Sequence, residues 1–278
     1  MNSISSLVLF VGLLLAACSR PQTPQPSVAV IDHPTPTTSP ASIPTPGPSP
    51  IPNPEMSLAN GLKIVPKTIT LKNERRRYEI NVTFPQIAGT KDPVFLNLNH
   101  RIRNLVANQY SWPLAPPTKD DLRYYQKWPG VYNSVDLDYY VVLATNRFLS
   151  MYFEVYSYGI GAAHSVQESF TINFDMTSKT LLTLDSLFKP GTKPLQFISK
   201  YCIDKLSKDH SWAMNDPVFR DEVAPVPKNF ASWNIVPEGI RINFDACKID
   251  GCSAGATEVV IYFIELKPLM RAQFAGGV

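Results

Sequence analysis

The sequence carries little charge and few histidines. Charged residues make up 18% of its 278 positions, the formal net charge is only +3, and there are four histidines. This balance provides no strongly basic surface, so we expect no nucleic-acid partner. The 44% of hydrophobic residues nevertheless suffices for a well-buried core.

Motifs for hydrolytic chemistry are also missing. No Gly-x-Ser-x-Gly occurs, and the adjacent His164 and Ser165 do not have the geometry of a nucleophile with its base. The scattered histidines do not suit a metal site, and we expect neither a metal nor another cofactor. Four carboxylates qualify for a glycosidase pair by residue type alone: Glu154, Glu168, Asp175 and Asp185. The sequence therefore predicts a protein that is not an enzyme.

The N-terminus has the pattern of an export signal. Its apolar run, residues 7–15, is too short to span a bilayer but suits the hydrophobic part of a signal peptide. Leu15-Ala16-Ala17-Cys18 resembles the lipobox of bacterial lipoproteins. We therefore predict a lipoprotein signal peptide over residues 1–17 and a membrane anchor on Cys18. Because "MNSISS" contains no Lys or Arg, an ordinary signal peptide with a chance cysteine remains the alternative.

Residues 18–59 have a composition that favours disorder. Twelve of the 26 prolines lie between residues 19 and 57, together with many Ser and Thr residues. Such a segment buries too little apolar surface to offset its ordering entropy, so we expect a disordered stalk. The folded part then extends from 60 to 278 as a single domain in two halves, about 62–135 and 136–272. Export and anchoring place this domain outside the bacterial cytoplasm.

The folded part alternates irregularly between strand and helix patterns. Tyr78, Ile80, Val82 and Phe84 alternate along a strand that Pro85 and Gly89 are expected to end. Two helices are predicted after Asp92-Pro93 and Thr192-x-Pro194, and the last strand is predicted over 257–266. The segment 111–130 is polar and contains four prolines, and no helix is predicted in it. The sequence therefore predicts an α+β fold: a mainly antiparallel sheet packed with two principal helices.

The stretch "YSYGIGAAHSVQESFTINFD" (156–175) contains the candidate ligand-binding residues Tyr158, Gly159, Gly161 and His164. A dinucleotide-binding loop would need a third glycine and a following helix, whereas "ESFTINFD" has the period of a strand. The two glycines are better explained by a bulged connection between strands. His164 is then either a hydrogen-bonded structural residue or part of a ligand surface.

Three cysteines remain in the folded part. In an oxidising compartment, Cys247 and Cys252 can close a small loop and leave Cys202 buried in a helix. A bridge from Cys202 to either of the others is the rival pairing. Zinc is a poor fit, because no second pair of cysteines and no nearby histidine accompany the two.

Three pieces of the sequence together resemble a known family. They are "YEINVTFPQIAG" with the helix after it, "VYSYGIGAAHSVQESFTINFDMTSKTLLTLDSLFKPG", and "NFDACKIDGCSAGATEVVIYF". They are similar to the RsiV-type extracytoplasmic domain, the ectodomain of a lysozyme-sensing anti-sigma factor that also occurs ahead of peptidoglycan deacetylase domains. The resemblance covers roughly residues 62–272. Family members usually have tyrosines at the positions of Cys247 and Cys252, so the resemblance implies that a disulfide replaces aromatic packing there.

The resemblance implies a binding or sensing module of the bacterial envelope. Its ligand is expected to be a protein, lysozyme-like, or a cell-wall component such as peptidoglycan. The alternative is a cell-wall-active hydrolase or accessory protein that uses His164 with a nearby carboxylate. The ligand, the membrane that holds the anchor and the oligomeric state stay open.

Overall fold

A computed structural model describes residues 55–58, 61–209 and 215–276. The predicted signal peptide, the predicted anchor Cys18 and almost all of the predicted stalk lie outside these ranges. None of the helices within the described ranges is long and apolar enough to cross a membrane.

In the described ranges, ten strands form two sheets, and five α-helices pack around them. The large sheet has seven strands in sequence order: β1 (Met56–Ser57), β2 (Lys63–Asn73), β3 (Tyr78–Ala88), β4 (Asn133–Ala144), β5 (Phe148–Tyr158), β6 (Val166–Asp175) and β7 (Thr180–Leu181). The small sheet has the order β10-β9-β8: β8 (Trp233–Val236), β9 (Gly239–Phe244) and β10 (Thr257–Tyr262). The helices are α1 (Pro93–Gln109), α2 (Lys119–Lys127), α3 (Pro194–Asp209), α4 (Pro217–Glu222) and α5 (Phe263–Leu266).

The predicted α+β fold with a mainly antiparallel sheet is confirmed. All neighbouring strands are antiparallel except β3 and β4, which are parallel and are joined through α1 and α2. A parallel pair needs such a long crossover, whereas antiparallel neighbours need only short turns. Both predicted halves of the domain contribute strands to the large sheet.

Helix α1 begins at the predicted cap. The Asp92 side chain accepts a hydrogen bond from the Val94 backbone N–H (2.9 Å), and Pro93 occupies the first helical position. The buried stripe consists of Phe95, Leu98, Asn99, Ile102 and Val106. Leu105 is only partly buried and packs against the edge of this stripe. The stripe covers one face of the large sheet. Together with buried side chains of β3, β4, β5 and β6 it forms the first hydrophobic core.

Strand β3 extends beyond its predicted end at Pro85. The buried Asn99 side chain accepts from the Ile87 N–H at 2.7 Å and donates to the Ile87 carbonyl at 2.8 Å. The amide thus acts like a short piece of neighbouring strand, and it ties the end of β3 to α1. Pairing with β2 carries the strand to Ala88, directly before Gly89, and the Asn99 bonds satisfy the backbone of Ile87.

Helix α2 lies in the polar, proline-bearing segment 111–130, where no helix was predicted. Thr118 and Asp121 form a reciprocal capping box: the Asp121 N–H donates to the Thr118 hydroxyl, and the Thr118 N–H donates to the Asp121 carboxylate. Tyr125 is the buried residue of this helix, and its hydroxyl donates to the Arg76 carbonyl at 3.0 Å. The helix therefore rests against the β2–β3 turn.

The last strand is shorter than predicted. Strand β10 ends at Tyr262, and residues 263–266 turn into α5 instead of extending the strand. This turn buries Leu266 completely in the second core, which lies between the small sheet, α3 and α4. On α3, Ile198, Leu206 and Cys202, which was predicted to be buried in a helix, are buried in this core.

The small sheet covers only one end of the outer face of the large sheet, the face opposite α1. A buried network holds it there: the Asn173 side chain donates to the Trp233 carbonyl (2.8 Å) and accepts from the Ile235 N–H (3.1 Å) and the Ser150 hydroxyl (2.7 Å). Asn234 donates in turn to Ser150 at 2.9 Å. Among the residues that the structure describes, none forms a second layer over the rest of the outer face.

Candidate functional site

The uncovered part of the outer face belongs mainly to β4 and β5. Along β4 the side chains of Val135, Leu137 and Tyr139 point into the first core, so the residues between them point outward. The register pairs Asp138 with Glu154, and Tyr140 with Tyr152, across the two strands. We call the resulting surface the tyrosine–carboxylate face, with the residues Asp136, Asp138, Tyr140, Tyr152, Glu154 and Tyr156.

Two tyrosines of this face are unusually open to solvent. Tyr140 is 48% exposed and Tyr156 is 42% exposed. The rings of Tyr140 and Tyr152 lie side by side, with centroids 6.2 Å apart and planes tilted by 37°. Exposed aromatic rings with hydroxyl tips present both an apolar surface and hydrogen-bonding groups, which is the character of ligand surfaces.

Glu154 occupies the centre of a hydrogen-bond network. One carboxylate oxygen accepts from the Tyr156 hydroxyl at 3.1 Å and from the Gln167 side-chain amide at 2.5 Å. The other accepts from the Tyr140 hydroxyl at 3.4 Å. These bonds hold the carboxylate and both exposed rings in fixed positions.

The face is electrostatically crowded. Partial burial, together with the nearby carboxylates of Glu154 and Asp136, raises the pKa of Asp138 to about 6. Burial and Glu154 likewise raise the pKa of Tyr156 to about 12. Within the described ranges, no Lys or Arg forms an ion pair with Asp136, Asp138 or Glu154. The carboxylates therefore face one another without a protein cation between them.

A cavity of about 480 Å³ opens where this face meets the small sheet. Its wall from the small sheet includes Arg241, which pairs with Glu258 at 3.1 Å and lies 5.6 Å from the Tyr152 ring centre. The full lining is Tyr140, Val142, Tyr152, Arg241, Asn243, Ala256, Thr257 and Glu258. This volume falls within the range typical of small-molecule sites.

A second cavity, of about 400 Å³, lies on the other side of the small sheet. Its walls are mostly apolar and include Leu182, Leu195, Phe230 and Trp233. Asn173 is a buried polar residue in its lining. The Asn173 side chain already bonds to the backbone of β8, so it is not available to bind a ligand in this cavity. The tyrosine–carboxylate face is the better candidate.

The predicted bend forms the connection between β5 and β6, away from both cavities. His164 is exposed, and its Nδ1 lies 2.9 Å from the Ser165 carbonyl oxygen. The Tyr158 hydroxyl donates to the Ala162 carbonyl at 3.3 Å. Among the described contacts, none joins His164 to a carboxylate. A ligand role for these residues stays a prediction.

The two glycines of the bend differ in their surroundings. Gly161 has φ +95°, and a Cβ there would lie 2.9 Å from the Tyr124 ring of α2, which stacks on Trp128 at 5.4 Å. Gly159 has an ordinary φ and open space around it. The need for backbone freedom and close approach, predicted for both, therefore applies to Gly161.

The cysteines divide into a bridged pair and a free thiol. Cys247 and Cys252 form a disulfide, and Cys202 is free and fully buried. Burial raises the pKa of Cys202 to about 12, so the thiol stays protonated and unreactive. In the described part of the chain, no cluster of three or more His, Cys, Asp or Glu side chains could hold a metal.

Solved structures share this fold. A DUF3298 family protein from Pseudomonas aeruginosa PAO1 superposes with a TM-score of 0.53 at 13% identity, covering 75% of this chain and 95% of that one. A member of the same family from Bacteroides fragilis NCTC 9343 gives 0.50 at 14% identity, covering 77% and 96%. At these identities the likeness concerns the fold.

The sequence comparisons match a family model and a curated protein over parts of the chain. Residues 185–263 match the model of a family described as a protein of unknown function (DUF3298). Over 142 residues the chain is 26% identical to the peptidoglycan-N-acetylmuramic acid deacetylase PdaC of Bacillus subtilis (strain 168). This match covers 51% of the chain but only 30% of the relative. The chain is thus similar to the DUF3298 family over residues 185–263 and to part of a peptidoglycan deacetylase.

Proposed function

We propose that this chain is an extracytoplasmic binding or sensing module of the bacterial cell envelope, anchored to a membrane through Cys18. The observation that carries the proposal is the tyrosine–carboxylate face. Its exposed rings are fixed by bonds to Glu154, and it borders a cavity of about 480 Å³. A surface arranged before a ligand arrives loses less entropy on binding.

Two findings support the envelope location. The Cys247–Cys252 disulfide is of the kind that persists in oxidising compartments outside the cytoplasm. The similarity to a peptidoglycan deacetylase favours a protein that works at the cell wall. The resemblance to the RsiV-type domain adds a lysozyme-like protein to the candidate ligands, beside a cell-wall component.

Binding without turnover is the function that we propose. The sequence-based alternative, a hydrolase using His164, gains no support from the position of this residue on an exposed bend. A general base must lie within hydrogen-bonding reach of its partner, and here the ring faces a backbone carbonyl. If His164→Ala leaves every measured muropeptide or ester turnover unchanged, the hydrolase alternative is excluded.

Calorimetric titration of the full chain tests the proposal. The titrants are soluble peptidoglycan fragments and, separately, lysozyme. We expect one of them to bind saturably to the wild type and to bind at least about tenfold more weakly to Tyr140→Ala, because a central aromatic contact is lost. Tyr262→Ala is the matched control, since this tyrosine is also about half exposed (47%) but does not line the cavity. The absence of any saturable titrant would contradict the proposal.

A further inference from the structure

The tyrosine–carboxylate face has a negative charge that its surroundings leave unneutralised. Asp138 and Glu154 are directly opposite each other in the register of β4 and β5, and Asp136 is two residues along β4. Arg241, which lies 5.6 Å from the Tyr152 ring centre, is already paired with Glu258. Like charges directly opposite in a sheet destabilise it, so the arrangement favours a positive ligand group.

The two charged groups that act on Asp138, Glu154 and Asp136, are both acidic. The groups around Asp138 are Asp136 and Tyr140 on its own strand, Glu154 and Tyr156 on β5, and Asn81 on β3, which donates to Asp136 at 3.1 Å. The raised pKa of Asp138, about 6, reflects this setting. A ligand cation would reverse the shift and stabilise both ionised carboxylates.

The shape and composition of the site indicate a polyhydroxylated ligand. The cavity lining contains no Leu, Ile or Phe; it consists of two tyrosines, a paired arginine and glutamate, two uncharged polar residues, a valine and an alanine. Asp138 and Glu154 do not line the cavity but lie beside it on β4 and β5. Ser169 and Gln167 on β6 add a hydroxyl and an amide beside Glu154. A stable protein interface needs about 800 Å² per partner around an apolar centre. A sugar instead needs flat rings for its carbon face and polar groups for its hydroxyls.

Resting on the proposed function, we propose that the tyrosine–carboxylate face binds a glycan whose hexosamine units carry free, protonated amino groups. The sugar rings stack on Tyr140 and Tyr152. The ammonium groups bind Asp138 and Glu154. Attraction of a cation to the tyrosine faces adds to the affinity.

Calorimetry with the full chain and two matched probes tests this inference. The probes are chitosan oligosaccharides, which are β-1,4-linked glucosamine, and chitin oligosaccharides of the same length, which are N-acetylated. Just above pH 6, where about half of the Asp138 carboxyl is ionised in the free protein, we expect chitosan to bind saturably and more tightly than chitin. Added salt should weaken this binding, because both carboxylates are only partly buried and remain open to screening by salt ions.

Charge-removing variants locate the ammonium site. Glu154→Gln keeps the shape of the side chain but removes its charge, so chitosan affinity should fall by about tenfold or more. Asp138→Asn should have a similar effect. Asp204→Asn on α3, a carboxylate with 58% of its side chain exposed, is the control and should bind like the wild type. Thermal unfolding of each variant checks that lost binding is not lost folding.

The outcomes separate the inference from the proposed function. Equal affinity for chitin and chitosan, with Glu154→Gln unchanged, overturns the amino-sugar inference and keeps the binding face. Tyr140-dependent binding of lysozyme without binding of either sugar also overturns the inference but keeps the proposed function. If no sugar, peptidoglycan fragment or lysozyme binds, both are overturned.

Discussion

Asn173→Ala should separate the small sheet from the large one. Its side chain makes three buried hydrogen bonds, to the Trp233 carbonyl, the Ile235 N–H and the Ser150 hydroxyl. Each bond contributes about 1 kcal/mol, so the loss should lower the free energy of unfolding by about 3 kcal/mol. For a folded part of this size, that corresponds to a fall in melting temperature of about 6–12 °C.

Thermal unfolding followed by circular dichroism measures this effect. Asn146→Ala is the matched control, because Asn146 is exposed in the β4–β5 turn; its melting temperature should change by less than about 2 °C. Ser150→Ala should cost less than Asn173→Ala, since Asn173 keeps its two bonds to β8. The double variant should be less destabilised than the sum of the single variants, by about 1 kcal/mol.

A small effect would refute the reasoning. If Asn173→Ala melted within about 2 °C of the wild type, the amide bonds would not hold the sheets together. The apolar contacts of the second core would then fix the small sheet alone. Full additivity of Asn173→Ala and Ser150→Ala would likewise contradict a shared network.

Three further predictions concern the bend, the face and the disulfide. Gly161→Ala should lower stability by about 2 kcal/mol, because of its positive φ and the α2 ring beside it, whereas Gly159→Ala should be nearly neutral in the same melt. Asp138→Asn should raise the unfolding free energy at neutral pH. The wild type should lose stability relative to this variant as pH rises from about 4 to about 6, because the folded Asp138 carboxyl holds its proton to higher pH than the unfolded one. A difference in unfolding free energy between wild type and variant that does not change across this range would contradict the prediction. Removing the disulfide with Cys247→Ser and Cys252→Ser should cost about 2 kcal/mol in denaturant unfolding, from the entropy of a short loop; an unchanged midpoint would oppose this.

Local signals predicted the long elements well. Asp92-Pro93 places the start of α1, and regular apolar spacing identifies the buried face of α3. Apolar spacing does not predict α2, because four prolines surround it and only one of its residues is buried. The local signal for this helix is the spacing of Thr118 and Asp121, which form its capping box. A helix with so little apolar periodicity depends on its tertiary contact with the β2–β3 turn.

The candidate face was not predicted because it depends on long-range pairing. Asp138 and Glu154 lie 16 positions apart, and only the β4–β5 register, shifted by an irregularity between Val141 and Leu143, sets them opposite each other. Period-two spacing in "DLDYY" would have placed Asp136, Asp138 and Tyr140 on one face. Which part of that face the small sheet leaves open is decided by the Asn173 network, and a sequence pattern contains no such information.

The two ends of the outer face follow opposite physical rules. Where the small sheet covers it, the amide and hydroxyl groups around Asn173 are bonded to one another and to backbone, as buried polar groups must be. Where it is open, Asp138 and Glu154 are directly opposite and no protein cation of the described chain pairs with them. A sheet selected for stability alone would have an opposite-charge pair or two neutral residues at these positions.

Stability and binding should therefore move in opposite directions at this site. Asp138→Asn removes the repulsion and should stabilise the folded chain, but it also removes half of the proposed ammonium site. Perturbed carboxylates that cost stability are concentrated at functional sites, where a ligand offsets the cost. A variant that melts higher and binds the amino sugar more weakly would link the two properties. A variant that gains stability without losing affinity would show that the carboxylate pair has no part in binding.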